Sequence, residues 1–190
     1  MKPDERGAVH DPKALRALAH PQRLRLIDVL RSEGPGTVSQ LAGRVEDSIA
    51  ATSYHLQQLA KYGHIEPRDD LARNRRERWW QATTRDTVWP SASARDVADS
   101  NALDSALVRF QSERLNDFLA HRAELDATWL AASTLGNYQL TLTANELSLL
   151  HAEFIELLEK YRQGPNDVKV EEKMAVDIAF SAVPRKEPRP

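Results

Sequence analysis

A cluster of arginines directly precedes two adjacent tryptophans at residues 73–80, which read RNRRERWW. The cluster comprises Arg73, Arg75, Arg76 and Arg78, whereas the whole chain has a formal net charge of -2. Guanidinium groups neutralise phosphates and release the counterions around a nucleic acid, and they suit the narrow minor groove of A·T tracts. Runs of charged residues are more often solvated loops than binding sites. The function of this cluster therefore depends on the structure in which it lies.

A second group of residues suited to nucleic-acid contacts lies in IAATSYHLQQLAKYG, residues 49–63. Glutamine can pair with adenine, serine and tyrosine can donate or accept, and an alanine methyl can meet the thymine methyl. His55 fits two roles equally well, a contact to DNA or a packed interior ring. The predicted contact residues are Ala50, Ala51, Ser53, Tyr54, His55, Gln57, Gln58 and Lys61.

Apolar periodicity predicts the helices that would position this stretch. DPKALRALAH begins with aspartate and proline, as helices often do, and PQRLRLIDVLRSEG ends at a glycine- and proline-rich break. VSQLAGRV follows, and Glu46 and Asp47 connect it to the helix of residues 49–62. Two helices joined by so short a turn, the second with a polar outer face, indicate a helix-turn-helix. The predicted inner face of the second helix is Ile49, Thr52, Leu56 and Leu59.

Two short strands are predicted after this helix, in HIE and in ERWWQAT. Three helices followed by such a hairpin make a winged helix-turn-helix. Because successive strand residues point to opposite faces, at least one of Trp79 and Trp80 should lie in the core. The hairpin, or wing, would present Arg73, Asn74, Arg75, Arg76 and Arg78 to DNA.

The start of the VSQLAGRV helix is a third candidate contact. Free backbone N–H groups at a helix start form an anion site, and the predicted DNA-backbone contacts there are Thr37, Ser39 and Gln40. The charge distribution agrees: residues 1–90 hold 15 Lys and Arg against 12 Asp and Glu, whereas residues 91–190 hold 11 against 16. An anionic partner therefore suits the front half of the chain.

The back half reads as a helical region followed by a small α+β region. A long helix is predicted from about Asn101 to about Ser133. YQLTLT and KMAVDIAFSAV alternate as strands do, and Thr143 with Glu146 makes a capping box for the helix between them.

The predicted fold class is mainly α with a small β-hairpin wing. The predicted domains are a winged helix-turn-helix at 11–88, a helical linker and dimerisation region at 95–134, a small α+β domain at 135–183 and a disordered tail at 184–190. The residues predicted for dimerisation are Leu15, Leu18, Leu103, Leu107, Phe110, Leu115 and Phe118.

The segments LAHPQRLRLIDVL, VSQLAGRV, TSYHLQQLAKYGHIE and RRERWWQAT together resemble the ArsR-like winged-helix transcriptional regulators. The closest branch has a glycine- or arginine-rich wing ending in RERWW and an added C-terminal effector-type domain. The resemblance covers about residues 12–85 strongly and the Trp129 helix and following residues more loosely. It implies a bacterial homodimer that binds DNA. Two features depart from the family: its cysteine-based metal signature is absent, and Asn74 and Arg75 stand where the wing often has glycine.

Several function classes are disfavoured. The chain has no cysteine, which excludes disulfides and thiolate sites. Asp117, His121 and Glu124 are weak metal candidates on one predicted helix face, but Phe110 and Val108 replace the second histidine and acid of metal-sensing relatives. No metal or cofactor is therefore expected. The lack of nucleophile-elbow, glycine-rich-loop and HExxH motifs predicts a non-enzyme, and the lack of long apolar stretches predicts a cytoplasmic protein.

These patterns lead to an expected function. The chain should be a sequence-specific regulator that binds double-stranded DNA as a homodimer on a pseudo-palindromic operator, a repressor by resemblance. A small-molecule effector would act at the C-terminal domain. Two alternatives stay open: a winged-helix adaptor that binds proteins and no DNA, and a regulator whose second domain only stabilises the dimer.

Overall fold

The structure, a computed structural model, describes residues 12–74, 77–86, 97–162 and 174–185. Its contacts divide the chain into two units, the first ending at Arg122 and the second beginning at Ala123. The division falls inside the helical region predicted for 95–134.

The first unit confirms the predicted winged helix-turn-helix and the long helix that follows it. The strands form one antiparallel sheet in the order β1-β3-β2, with Gly36 opposite Trp80 and Ile65 opposite Ala82. Strand β1 is not among the predicted strands because two residues are too few to show alternation. The elements are α1 (Pro12–Leu18), α2 (Pro21–Ser32), β1 (Gly36–Thr37), α3 (Val38–Arg44), α4 (Ile49–Lys61), β2 (Ile65–Pro67), a 3-10 turn (Asp69–Leu71), β3 (Trp79–Ala82) and α5 (Val97–His121).

Local signals explain where α2 and α4 begin and end. His20 caps α2 because its Nδ1 accepts a hydrogen bond from the N–H of Gln22, and the Ser48 hydroxyl caps α4 by accepting from the N–H of Ala51. Gly63 ends α4 with a φ of 76°, a left-handed conformation that costs glycine little. Gly63 thus stands directly after the C-cap residue Tyr62.

One apolar cluster holds the first unit together. Helix α5 lies against α1 and α2, and its residues Leu103 and Ala106 enter the same core as the helix-turn-helix. The cluster consists of Leu18, Leu24, Leu26, Ile27, Leu30, Leu41, Val45, Leu56, Leu59, Ile65, Trp80, Leu103 and Ala106.

Two of the residues predicted for dimerisation are core residues instead. Leu18 and Leu103 have no exposed surface, because α1 and α5 cover each other within one chain. Phe110 packs against the edge of the same core, and the side chain of Leu15 lies outside the described residues. The sequence pattern correctly indicated an apolar stripe. A pattern does not show whether the surface that covers the stripe belongs to the same chain or to a second copy.

The tryptophan prediction is confirmed for Trp80, which is 5% exposed and belongs to the core. Trp79 is half-buried on the opposite face of β3. The wing therefore extends from strand β3, in which the side chain of Trp80 is packed in the core of the domain.

Arg31 fastens the chain after the wing to α2. Its Nε donates to the carbonyl of Thr84 at 2.9 Å, and its Nη2 donates to the Thr84 hydroxyl at 3.2 Å and to the carbonyl of Asp86 at 2.6 Å. Burial lowers the pKa of Arg31 to about 10, partly offset by Asp86 and Asp28, so the group stays charged at neutral pH.

The second unit contains α6 (Ala127–Ala132) and α7 (Ala144–Arg162). The helix predicted from 101 to 133 is wrong as one element: α5 ends at His121, a 3-10 turn follows at Arg122–Glu124, and the carboxylate of Asp126 caps α6. The Thr143–Glu146 capping box is confirmed, with Glu146 Oε2 accepting from the N–H of Thr143 at 2.7 Å.

The strands predicted around α7 are not found in the described residues. Residues 138–143 and 174–183 have no strand pairing, although Phe180 stacks on Phe154 of α7 and Arg185 donates to Gln139. Alternating apolar residues favour a strand only if another strand accepts its backbone hydrogen bonds. Several of these residues are exposed, among them Leu140, Val176 and Ile178.

No helix in the described part of the chain is long and apolar enough to cross a membrane.

Replacing Arg31 by alanine should lower the free energy of unfolding by about 2 kcal/mol, because it removes charged hydrogen bonds that close the domain. Denaturant unfolding measures the change. Arg25→Ala on the same helix is the matched control: Arg25 forms an exposed ion pair with Glu113 at 2.8 Å and should contribute less than about 0.5 kcal/mol. Equal losses in both variants would contradict the role of Arg31 as a fastener.

Candidate nucleic-acid interface

The outer face of α4 is a polar stripe above a buried inner face. Thr52, Leu56 and Leu59 have no exposed surface, as predicted. Ile49 is 59% exposed, so its prediction as an inner residue is wrong: it lies in the first turn of α4, before the helix enters the core. The exposed or half-exposed residues of the stripe are Ala50, Ala51, Ser53, Tyr54, Gln57, Gln58 and Lys61.

His55 differs from the other predicted contact residues. It is 8% exposed, and its ring packs against that of His20 at an interplanar angle of 44°, with the centroids 4.5 Å apart. Its Nδ1 is buried without a hydrogen-bond partner. Of the two roles open from the sequence, the structure favours the packed interior ring, because His20 from the start of α2 covers it.

The turn between α3 and α4 sets the angle at which α4 leaves the core. Glu46 has a left-handed φ of 52°, and the N–H of Asp47 donates to the carbonyl of Ala42 at 3.0 Å. The Asp47 carboxylate then accepts from the N–H of Ser48 at 2.7 Å. The short connection predicted from the sequence is thus a hydrogen-bonded turn.

The predicted backbone contacts at α3 divide into two kinds. Thr37 and Gln40 form a capping box: the Thr37 hydroxyl accepts from the N–H of Gln40, and Gln40 Oε1 accepts from the N–H of Thr37 at 2.9 Å. Their side chains are therefore engaged with each other in the free protein, whereas Ser39 is exposed.

The wing presents its polar residues from a hydrogen-bonded base. Arg73, Asn74 and Arg78 are exposed; Asn74 Oδ1 accepts from the N–H of Glu77 at 3.2 Å, which closes the loop. The guanidinium of Arg78 lies 5.6 Å from the ring centre of Trp80, within reach of a cation–π interaction. The predicted contacts Arg75 and Arg76 lie outside the described residues.

Arg68, another arginine at the wing, forms its hydrogen bonds within the chain. Arg68 donates to Asp70 Oδ2 at 2.6 Å and to Gln81 Oε1 at 2.6 Å, and Gln81 in turn donates to Glu66. The hydrogen bonds from Arg68 hold the pKa of Asp70 below its usual range. This network ties β2 to β3 and keeps the hairpin in shape.

The sequence did not single out two residues beside α4. His20 covers His55, and Arg23, one helical turn later, is half-buried with its Nε lacking a hydrogen-bond partner. The segment HPQR was interpreted only as a helix start. The signal that could have placed both beside the start of the helix is their position around Pro21, since His20 directly precedes this proline and Arg23 stands in the first turn after it.

The weak metal candidates do not share one helix face. His121 is the last residue of α5, its Nδ1 lies 2.9 Å from the backbone carbonyl oxygen of Asp117, and Glu124 stands in the 3-10 turn beyond it. Among the described residues no group of three or more His, Asp or Glu side chains is arranged to hold a metal ion.

The paired helices α3 and α4, their short turn and the exposed polar stripe have a counterpart among known proteins. Residues 18–68 match the family model of a helix-turn-helix domain. The match runs from the end of α1 through β2, and it covers every predicted contact residue of α3 and α4. A search of curated proteins found no match. The match covers 51 of the 190 residues, and a helix-turn-helix domain is typical of DNA-binding regulators.

Lowering the pH should destabilise this domain. Desolvation lowers the pKa of His20, His55 and His64 below the ordinary 6.5. The unfolded chain therefore binds protons more readily than the folded chain. As a result, the free energy of unfolding keeps its full value above about pH 6.5 and decreases below it. Protonation of His20 at Nδ1 would also remove the cap of α2.

Unfolding in denaturant at several pH values between about 5 and 7.5 measures this loss, and His55→Phe keeps an aromatic ring against His20 without a titrating group. The variant should lose less stability than the wild type as the pH falls. The same pH dependence in both proteins would contradict the burial of His55.

Proposed function

We propose that this protein is a transcriptional regulator that binds a specific double-stranded DNA sequence through its helix-turn-helix domain and represses transcription. The observation that carries the proposal is the outer face of α4: polar and small side chains at helical spacing above a fully buried inner face. Such a helix can enter the major groove without losing its packing.

The contacts would divide between bases and phosphates. Tyr54 and Gln57 are exposed in the middle of α4 and can form hydrogen bonds to base edges, and Ala50 can meet a thymine methyl. Lys61 at the end of α4 and the wing arginines would neutralise phosphates. Affinity would then come mostly from the second group and sequence preference from the first.

The proposed homodimer would use the later part of α5. Leu107 and Phe118 are half-buried, and Leu115 is 42% exposed, whereas Leu103 is occupied within the chain. Resemblance to the ArsR-like regulators supports the same assembly. A two-fold symmetric dimer would place two copies of α4 in successive major grooves, about 34 Å apart, on a pseudo-palindromic operator.

The second unit would control the dimer by binding a small-molecule effector. Its apolar residues at 138–143 and 174–183 are largely exposed in the free chain, which leaves apolar surface for a ligand. An effector could shift operator affinity only through a difference in its affinity for the bound and free states.

The test is binding to the DNA upstream of the protein's own gene, measured against unrelated DNA over a range of salt concentrations. The proposal expects a strong salt dependence and a footprint with two half-sites one helical turn apart. Absence of DNA binding would favour the protein-interaction adaptor, and a single protected half-site would contradict the homodimer.

Gln57→Ala should reduce the discrimination between operator and unrelated DNA about tenfold, because it removes a hydrogen-bonding partner of a base. Competition binding with both DNAs measures the ratio. Gln139→Ala, the same substitution in the second unit, is the control and should leave the ratio unchanged. If Gln57→Ala keeps full discrimination, another face of the domain contacts the bases.

The double variant Arg75→Ala/Arg76→Ala should weaken binding to all DNA sequences alike and reduce the slope of log K against log salt by about 2, since two phosphate contacts are lost. Fluorescence anisotropy with operator and unrelated DNA measures both quantities. An unchanged slope would contradict the contact between wing and DNA.

A further inference from the structure

The feature that the proposed function leaves unexplained is the half-buried cation of Arg23. In the described part of the chain its guanidinium has no hydrogen bond and no ion pair, and its Nε is buried without a partner. Buried polar atoms of native proteins are nearly always satisfied, so the unpaired Nε is unusual. Nη1 and Nη2 are not among the buried unpaired atoms, so an external ligand would contact these two nitrogens rather than Nε.

Other arginines of the same unit differ from Arg23. On the same helix, Arg25 pairs with Glu113 at 2.8 Å and Arg31 donates to three oxygen atoms of the chain. Arg44 pairs with Glu33 at 3.0 Å, and Arg68 with Asp70. Arg23 thus keeps its charge uncompensated where its neighbours are neutralised.

The position of Arg23 places this charge beside α4. His20, the N-cap residue of α2, packs against His55 of α4 with the ring centroids 4.5 Å apart, and Arg23 follows in the first turn of α2. The charge of Arg23 acts on both His20 and His55, which places its guanidinium beside α4. Tyr54 and Tyr62 are its electrostatic neighbours, and Tyr54 is 58% exposed on the stripe assigned to DNA.

We propose that Arg23 binds a DNA phosphate at the flank of α4. The inference rests on the proposed DNA binding and adds a contact from α2, outside the helix-turn-helix pair and the wing. Arginine suits the role because its planar donors match phosphate oxygens. The phosphate would satisfy the guanidinium and fix the depth of α4 in the groove.

The experiment compares Arg23→Gln with Arg25→Gln, two identical changes on α2 that differ in the environment of the arginine. Arg23→Gln should weaken binding to operator and unrelated DNA by a similar factor, about tenfold, and reduce the salt slope by about 1. Arg25→Gln should leave the slope unchanged. Arg23→Lys, which keeps the charge, should recover most of the slope.

Operator DNA with single methylphosphonate substitutions locates the contact. One methylphosphonate substitution should weaken DNA binding by the wild type and leave DNA binding by Arg23→Gln unaffected. The substitution removes the phosphate charge and the variant removes the arginine charge, so each change abolishes the same ion pair. Thermal unfolding of each variant shows whether it is folded, and Arg23→Met, which removes the charge but keeps an unbranched side chain, replaces Arg23→Gln in the comparison if Arg23→Gln is not folded.

The outcomes separate the two proposals. If the wild type binds operator with strong salt dependence but both Arg23 variants keep its slope and its methylphosphonate pattern, the phosphate contact is refuted and the proposed function stands. If the wild type shows no salt-dependent binding, the proposed function fails and the inference fails with it.

Discussion

Burial of the inner face of α4 is the interaction on which the rest of the structure depends. Thr52, Leu56 and Leu59 have no exposed surface, and the two leucines share one core with α2, α3 and the sheet. Each buried leucine contributes roughly 2 kcal/mol. Because this face is fixed, the opposite face of the same helix is presented rigidly, and a hydrogen-bonded turn sets its direction. Specific contacts to bases require such a fixed helix.

Charge is distributed locally rather than over the whole chain. A net charge of -2 does not prevent binding to DNA, because binding depends on where the cations lie. Some arginines of the first unit are paired with carboxylates or hydrogen-bonded to backbone oxygens. Arg31 and Arg68 hold the wing in place in this way, whereas Arg23 is half-buried beside α4 without an ion pair among the described residues, and Arg78 is exposed on the wing. The internal pairs therefore shape the domain, and the remaining cations determine where an anion can approach.

Much of the fold of the first unit was predictable because its signals are local. Gly63, the connection at Glu46 and Asp47, and a buried tryptophan follow from backbone preference and strand alternation. The burial of His55 was not predictable, since its cover comes from His20, 35 positions earlier in the chain. Leu18 and Leu103 were misassigned for a related reason: an apolar stripe does not show whether its partner belongs to the same chain.

The candidate site was predictable only in part. The outer residues of α4 follow from helical spacing. Arg23 became a candidate because its guanidinium has no hydrogen-bond partner among the described residues, and only the folded structure shows this. In the second unit, alternation at 138–143 and 174–183 predicted strands that the described residues do not form. A strand depends on a neighbour, and one segment's own sequence carries no information about that neighbour.

The central claim is that the outer face of α4 lies in the major groove. The chain has no cysteine, so Lys61→Cys provides a unique thiol at the end of α4 for a tethered iron chelate that cleaves nearby DNA. The account predicts cleavage of the operator confined to a few base pairs within each half-site, and none by the wild-type protein treated with the same reagent. Bound DNA that is cut equally by both proteins, or by neither, would contradict the account.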